Sequence, residues 1–209
     1  MSTLIIGAGG QIGQMIAANL RQAGEPVRAM VRSHNQNLAA MGAELFIGDL
    51  EQDFRTAIDG CAKVVFTAGS GAKTGADKTI LVDLWGAMKA IDYAADAGVE
   101  HFVMVSSRGA DNPDLGPVAI KHYSVCKKLA DDHLMRSTVP YTILRPGRLV
   151  DSPETGRIST TMPNAPEQQV ITRADVAATT AFCLQNTQAA NRIYPLVNGE
   201  NTLSDALLT

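Results

Sequence analysis

Residues 3–20 read TLIIGAGGQIGQMIAANL, and this stretch limits the fold more than any other part of the chain. A short apolar run suited to a buried strand leads directly into Gly7, Gly9, Gly10 and Gly13, and then into apolar residues at helical spacing. Gly7, Gly10 and Gly13 have GxxGxxG spacing. A tight strand-to-helix turn needs small residues, and those residues let backbone approach a phosphate where the helix N-terminus supplies aligned N–H donors. The stretch therefore predicts a strand–loop–helix unit that cradles cofactor phosphates, with Gly7, Gly9, Gly10, Gln11, Ile12 and Gly13 as its binding residues.

The alternation continues nearly to the end of the chain. PVRAMVR, AELFIG, AKVVFTAG, HFVMVSS, PYTILRPG and RIYPLVNG read as further strands. Between them lie QIGQMIAANLRQAG, a helix closed by Gly24, and TILVDLWGAMKAIDYAADAG, one long helix closed by Gly98. A helix containing Tyr123 comes next, then one over VAATTAFCL that Thr172 and Asp175 open with capping-box spacing. Thr202 and Asp205 start a last short helix. The pattern predicts an α/β fold, a doubly wound Rossmann-type parallel sheet with helices on both faces. Residues 1–209 read as one such domain with a minimal C-terminal extension, and 151–169 as an irregular excursion forming part of the substrate pocket.

Composition narrows the function. The chain is 45% hydrophobic and 19% charged with a net charge of −3, so neither nucleic acid nor an anionic membrane finds electrostatic support. Cys61, Cys126 and Cys183 are odd in number and scattered, which fits reduced thiols and argues against a disulfide scaffold or a zinc site. His34, His101, His122 and His133 form no ligand-spaced cluster and read as surface or helix-face residues. The N-terminus lacks a basic segment and no apolar run approaches the roughly 20 residues of a membrane helix, so a cytoplasmic protein with a small-molecule substrate is expected.

The end of the second strand usually reads the adenosine ribose, with an acid suiting NAD and a base suiting the 2′-phosphate of NADP. Here AMVRSHNQN presents Arg32 and Ser33 and no carboxylate. Arg32 offers a planar fork to a phosphate and Ser33 a further donor, so NADP(H) is the preferred cofactor and NAD(H) the second choice. A solvated arginine at a strand end is the plain alternative.

Five motifs in order extend this reading. They are the glycine loop, GDL at Gly48–Leu50, VSS at Val105–Ser107, YxxxK at Tyr123–Lys127, and RPG at Arg145–Gly147. Together they resemble the short-chain dehydrogenase/reductase superfamily, in its short atypical branch of NmrA-like and biliverdin/flavin reductase-like proteins. The resemblance covers nearly the whole chain. It implies that Asp49 and Leu50 lie near the adenine and that Ala68, Gly69 and Ser70 line the path toward the nicotinamide ribose. Ser107, with Ser106 as understudy, would hydrogen-bond the substrate oxygen, and Tyr123 would act as general acid. Lys127 would hold the nicotinamide ribose and favour the tyrosinate through its charge, while Pro146 and Gly147 would edge the nicotinamide pocket.

Helical spacing sets Val118, Val125, Cys126, Leu129 and Leu134 on one broad apolar arc, with Tyr123 and Lys127 about 40° apart at its edge. A snorkelling Lys127 paired with Asp131 is the alternative. Asp83 stands where many members of the resembled family carry Asn, which puts efficient alcohol dehydrogenation in doubt. With no large C-terminal substrate domain, the pocket roof falls to the 70–78 loop and the 151–169 excursion. The expected activity is an NADPH-dependent oxidoreductase passing hydride to a carbonyl, flavin or quinone-like acceptor, as a monomer or homodimer. A non-catalytic NADP(H) sensor acting through a protein partner is the alternative, and a sugar-nucleotide epimerase a distant third.

Overall fold

A computed structural model describes residues 1–71 and 73–208. Its first half contains β1 (Ser2–Ile6), α1 (Gln11–Gln22), β2 (Val27–Val31), α2 (Gln36–Ala40), β3 (Glu44–Ile47) and β4 (Cys61–Phe66). Then follow α3 (Ala76–Lys78), a π-helical segment (Thr79–Gly86), α4 (Ala87–Asp96), β5 (His101–Val105), α5 (Lys121–Arg136) and β6 (Tyr141–Pro146). The remainder is β7 (Arg148–Val150), β8 (Ile158–Ser159), β9 (Val170–Thr172), α6 (Arg173–Gln185), β10 (Arg192–Asn198) and α7 (Leu203–Leu207).

The main sheet runs β3-β2-β1-β4-β5-β6-β10-β8. All its pairings are parallel except β10 with β8 at one edge. This is the predicted Rossmann-type sheet, and the strand runs are apolar because both faces are covered. Alternate residues serve opposite faces. Ile5, Val65 and Val103 join a core with Ile16 and Leu20 of α1 and Val176 and Leu184 of α6. Leu4, Ile6, Val64, Phe66, Phe102 and Met104 join the other, with Ile91 of α4 and Leu134 of α5. Strand order reverses between β1 and β4, and a crevice opens above the C-terminal ends of strands at such a switch.

Four details depart from the predicted pattern. The long helix is not uniformly α, since Thr79–Gly86 is π-helical, with Thr79, Asp83 and Gly86 buried. The expected apolar arc of α5 is largely outside: Val118, just before the helix, and Val125 and Leu129 on it are exposed, whereas Ser124, Lys127 and Asp131 are buried beside Cys126 and Leu134. The excursion is more ordered than expected, because it supplies β8 to the main sheet while the flanking β7 and β9 pair in parallel as a small second sheet. His101, read as a surface residue, is buried at the start of β5, where its Nε2 lies 2.9 Å from Thr142 Oγ1.

The predicted helix starts hold. Thr172 Oγ1 accepts from the Asp175 amide at 2.9 Å, and Thr202 Oγ1 accepts from the Asp205 amide at 3.2 Å. Cys61, Cys126 and Cys183 are buried free thiols.

Candidate dinucleotide cleft and active site

A 540 Å³ cleft lies at the strand-order reversal. Gly7, Gly9 and Gly10 form its floor, with Arg32 and Ser33 on one side, Asp49 and Leu50 on another, and Ala68, Gly69 and Ser70 on the third. The glycines are there for steric reasons. Gly7 has φ +89°, and a Cβ on it would lie 2.6 Å from the Ala68 amide nitrogen. A Cβ on Gly13 would run into the Gly7 carbonyl oxygen, so the residue is required where α1 packs on the turn, not inside the cleft. Gln14 steadies the loop by donating from Nε2 to the Gly9 carbonyl at 3.0 Å.

Around the mouth, the acids are already engaged. Asp49 Oδ1 accepts from the Glu51 amide at 2.9 Å, and Glu51 is paired with Lys78 at 2.6 Å. Arg32 and Ser33 are exposed at the end of β2 with no carboxylate beside them on the strand. Asp83 Oδ2 accepts from the Ser70 amide at 2.9 Å, and Asp83 Oδ1 lies 3.1 Å from where a Gly69 Cβ would be. The carboxylate thus clamps the loop after β4 against the cleft.

At the other end of the sheet edge, Ser107 follows β5 and its Oγ donates to the Arg108 carbonyl at 3.2 Å. Tyr123 is half-buried in the first turn of α5. Lys127, one turn on, is only 2% exposed and donates from Nζ to the Val105 carbonyl at 2.9 Å. It does not snorkel. Asp131, fully buried, accepts from Ser106 Oγ at 2.9 Å and from Arg145 Nε at 3.0 Å, while its Oδ1 has no hydrogen-bond partner among the described residues. Burial pushes the Asp131 carboxyl up, against the opposing pull of Lys127, Ser106 and Arg145. One carboxylate thus stands between the buried Lys127 and the partly buried Arg145.

The glycine loop at the switch point and the cleft above it decide the assignment. A family model described as NAD(P)H-binding matches residues 7–187. The chain belongs to this NAD(P)H-binding family. The uncharacterized sugar epimerase YhfK of Bacillus subtilis is 42% identical over 213 residues, with 99% of both chains covered. A Bacillus halodurans structure named for the NAD-dependent epimerase/dehydratase class superposes with a TM-score of 0.94 at 39% identity, covering 99% of this chain and 98% of that one. The anaerobilin reductase ChuY of Escherichia coli O157:H7 superposes with a TM-score of 0.76 at 25% identity, covering 97% and 99%.

In this NAD(P)H-binding chain the cleft fits an adenosine and pyrophosphate group. Above Gly9 the nearest atom to an added Cβ is Val31 Cγ1 at 3.8 Å, so backbone faces open space where phosphate would approach. Ten of the predicted cofactor residues line the cleft: Gly7, Gly9, Gly10, Arg32, Ser33, Asp49, Leu50, Ala68, Gly69 and Ser70. Gln11, Ile12, Gly13, Lys127, Pro146 and Gly147 do not line it. Gln11, Ile12 and Gly13 begin α1, and the others belong to the β5–β6 end. Of the 70–78 loop, Ser70, Thr74 and Lys78 reach the cleft, and Ala72 lies outside the described residues. Sequence reasoning missed His34, Asn35, Thr67 and Val82 as lining residues, and passed over Asp131 as the hub of the buried cluster. Only Asp131 had a usable signal, its i+4 spacing from Lys127. No helix among the described residues is long and apolar enough to cross a membrane.

Proposed function

We propose that the protein is an NADPH-dependent oxidoreductase that delivers hydride to a small carbonyl, flavin or quinone-like acceptor. The observation that carries the cofactor choice is the mouth of the cleft. Arg32 and Ser33 stand at the end of β2, while Asp49 and Glu51 are held by the Glu51 amide and by Lys78. A 2′-phosphate gains a bidentate guanidinium partner there and meets no free acid from β2.

Gly7, Gly9, Gly10 and Ala68–Ser70 would bind the phosphates and first ribose, with Leu50 and Asp49 near the base. When bound, the reduced nicotinamide supplies the hydride. Ser107 orients the acceptor oxygen, and the Tyr123 hydroxyl donates the proton that a carbonyl product needs. Lys127, one turn on from Tyr123 with its Nζ on the Val105 carbonyl, would stabilise the phenolate left behind and hold the nicotinamide ribose. Pro146 and Gly147 would border the nicotinamide edge. An acceptor of flavin type takes hydride without a tyrosine proton, so Tyr123 matters for carbonyls above all.

Asp83 favours a second reading. At the position where many members of the resembled family carry a relay Asn, its Oδ2 accepts from the Ser70 amide at 2.9 Å. A chain with an idle relay would bind NADP(H) and act through a protein partner without turnover. An acceptor screen separates the two, since a sensor oxidises NADPH with none.

The cofactor reading is tested by thermal or urea unfolding with NADPH and NADH. NADPH at a hundred times its dissociation constant raises stability by about 2.7 kcal/mol, and Arg32→Ala removes the advantage over NADH. Equal stabilisation by both cofactors would falsify the role of Arg32. With a carbonyl acceptor, Tyr123→Phe lowers kcat by about 100-fold or more. Undiminished turnover removes Tyr123 as proton donor.

A further inference from the structure

We propose that Arg108 selects acceptors that carry an anionic group, a carboxylate or a phosphate. The inference rests on the reductase reading and adds the substrate class to it. Arg108 directly follows Ser107, and its amide donates to the Pro146 carbonyl at 3.0 Å, which fixes the residue between the ends of β5 and β6. From there the half-buried side chain reaches Gln169, with Nη1 donating to Oε1 at 2.9 Å. Gln169 is held in turn, donating from Nε2 to the Pro163 carbonyl at 2.8 Å. Its own carbonyl packs so closely on Gly147 that a Cβ there would lie 2.5 Å away. Arg108, Gln169 and Gly147 therefore form one cluster beside Ser107, at the end of the site where the acceptor must sit.

The charge of this cluster is unbalanced. Of the partly buried arginines, Arg28, Arg145 and Arg173 are paired with Glu44, Asp131 and Asp151, and Arg21 is held by the Met41 and Glu25 backbone carbonyls far from Ser107. Arg108 is half-buried too, yet its side-chain partner is a neutral amide and no carboxylate pairs with it among the described residues. A guanidinium partly stripped of water and held by an amide keeps its full charge and most of its donors, so an incoming anion gains a charge-assisted, bidentate contact. The cofactor phosphates are not that anion. They belong at the glycine loop after β1, and β5 lies two strands away through β4, about 10 Å at ordinary strand spacing.

The test uses matched acceptors, with NADP⁺ saturating the cleft. Riboflavin 5′-phosphate against riboflavin probes a phosphate, and 4-carboxybenzaldehyde against methyl 4-formylbenzoate probes a carboxylate. Dissociation constants come from fluorescence quenching or calorimetry and need no turnover. In at least one pair the acid binds about tenfold tighter or more, and Arg108→Gln brings that ratio near one. Gln169→Glu does the same by setting a counter-charge against the guanidinium, and it carries the test if Arg108→Gln does not fold. Arg136→Gln, at the exposed end of α5, leaves the ratio as it was. The proposal is overturned if no acid is preferred in either pair, or if the preference survives in Arg108→Gln or Gln169→Glu. Acid-selective binding without NADPH oxidation by any acceptor would sink the reductase reading and leave Arg108 as an anion site. Turnover of neutral acceptors with no acid preference would do the reverse.

Discussion

Asp131 joins α5, β5 and β6 through a single side chain. It takes hydrogen bonds from Ser106 and Arg145 and neighbours Lys127 within the same buried space. Helical periodicity alone turns Val125 and Leu129 inward, and the structure instead turns Lys127 and Asp131 inward. The reason is that Arg145 arrives from the next strand, β6, and its partly buried guanidinium holds the carboxylate inside. Removing the carboxylate leaves the buried Lys127 and the partly buried Arg145 without a counter-charge. Asp131→Ala is therefore expected to lose about 3–5 kcal/mol of stability in urea unfolding. The double variant Asp131→Leu with Arg145→Met recovers part of that loss, because it removes one of the two cations and leaves only Lys127 without its counter-charge. Failure of the double variant to recover would mean that the cluster is not held by charge.

At the scale of elements, Asp175 does for the excursion what Asp131 does for the candidate active site. Its fully buried carboxylate accepts from the Thr155 amide at 3.0 Å, Thr155 Oγ1 at 2.9 Å, the Gly156 amide at 2.9 Å, Thr172 Oγ1 at 2.8 Å and Asn198 Nδ2 at 3.0 Å. One residue thus ties the excursion to the start of α6 and the end of β10. The capping pair Thr172–Asp175 is legible in the sequence because it is local. The contacts to Thr155, Gly156 and Asn198 are not, since they span about twenty residues on either side. Asp175→Ala strands several donors together, so a loss on the order of 3 kcal/mol is expected. Amide exchange at Thr155–Arg157 accelerates in the variant more than exchange in β5. Uniform acceleration across both segments would argue against a local clamp. The π-helical segment, which carries the tie from Asp83 to the loop after β4, is likewise invisible to a 3.6-residue pattern.

For the whole molecule, His101 links stability to pH. Thr142 Oγ1 donates to the Ala189 carbonyl at 2.8 Å, so it accepts from His101 Nε2–H and leaves Nδ1 buried without a partner. A proton on Nδ1 would find no acceptor, and burial, helped by Lys63, pulls the imidazole down to about 4. The unfolded chain takes up this proton below about pH 6.5, the folded chain only near pH 4. Stability from neutral His101 is thus complete above 6.5 and falls as the pH drops toward 4, by roughly 3 kcal/mol. Urea unfolding from pH 7 to 4.5 measures the slope, and His101→Gln should flatten it. An equal slope in the variant would assign the acid sensitivity to other groups.

The glycine loop, the seven long strands and the capped helix starts follow from the amino-acid order alone, because turns, pleats and caps are decided within a few residues. The lining of the cleft is legible for the same reason: its floor and rim come from the ends of β1, β2, β3 and β4, whose motifs are short and contiguous. Tertiary structure alone decided which face of α5 is buried, where His101 sits, that the excursion adds β8 to the sheet, and that Arg108 meets Gln169 instead of an acid. Each of these depends on charges and donors brought together from distant elements, and their pairing is settled only when the sheet has closed.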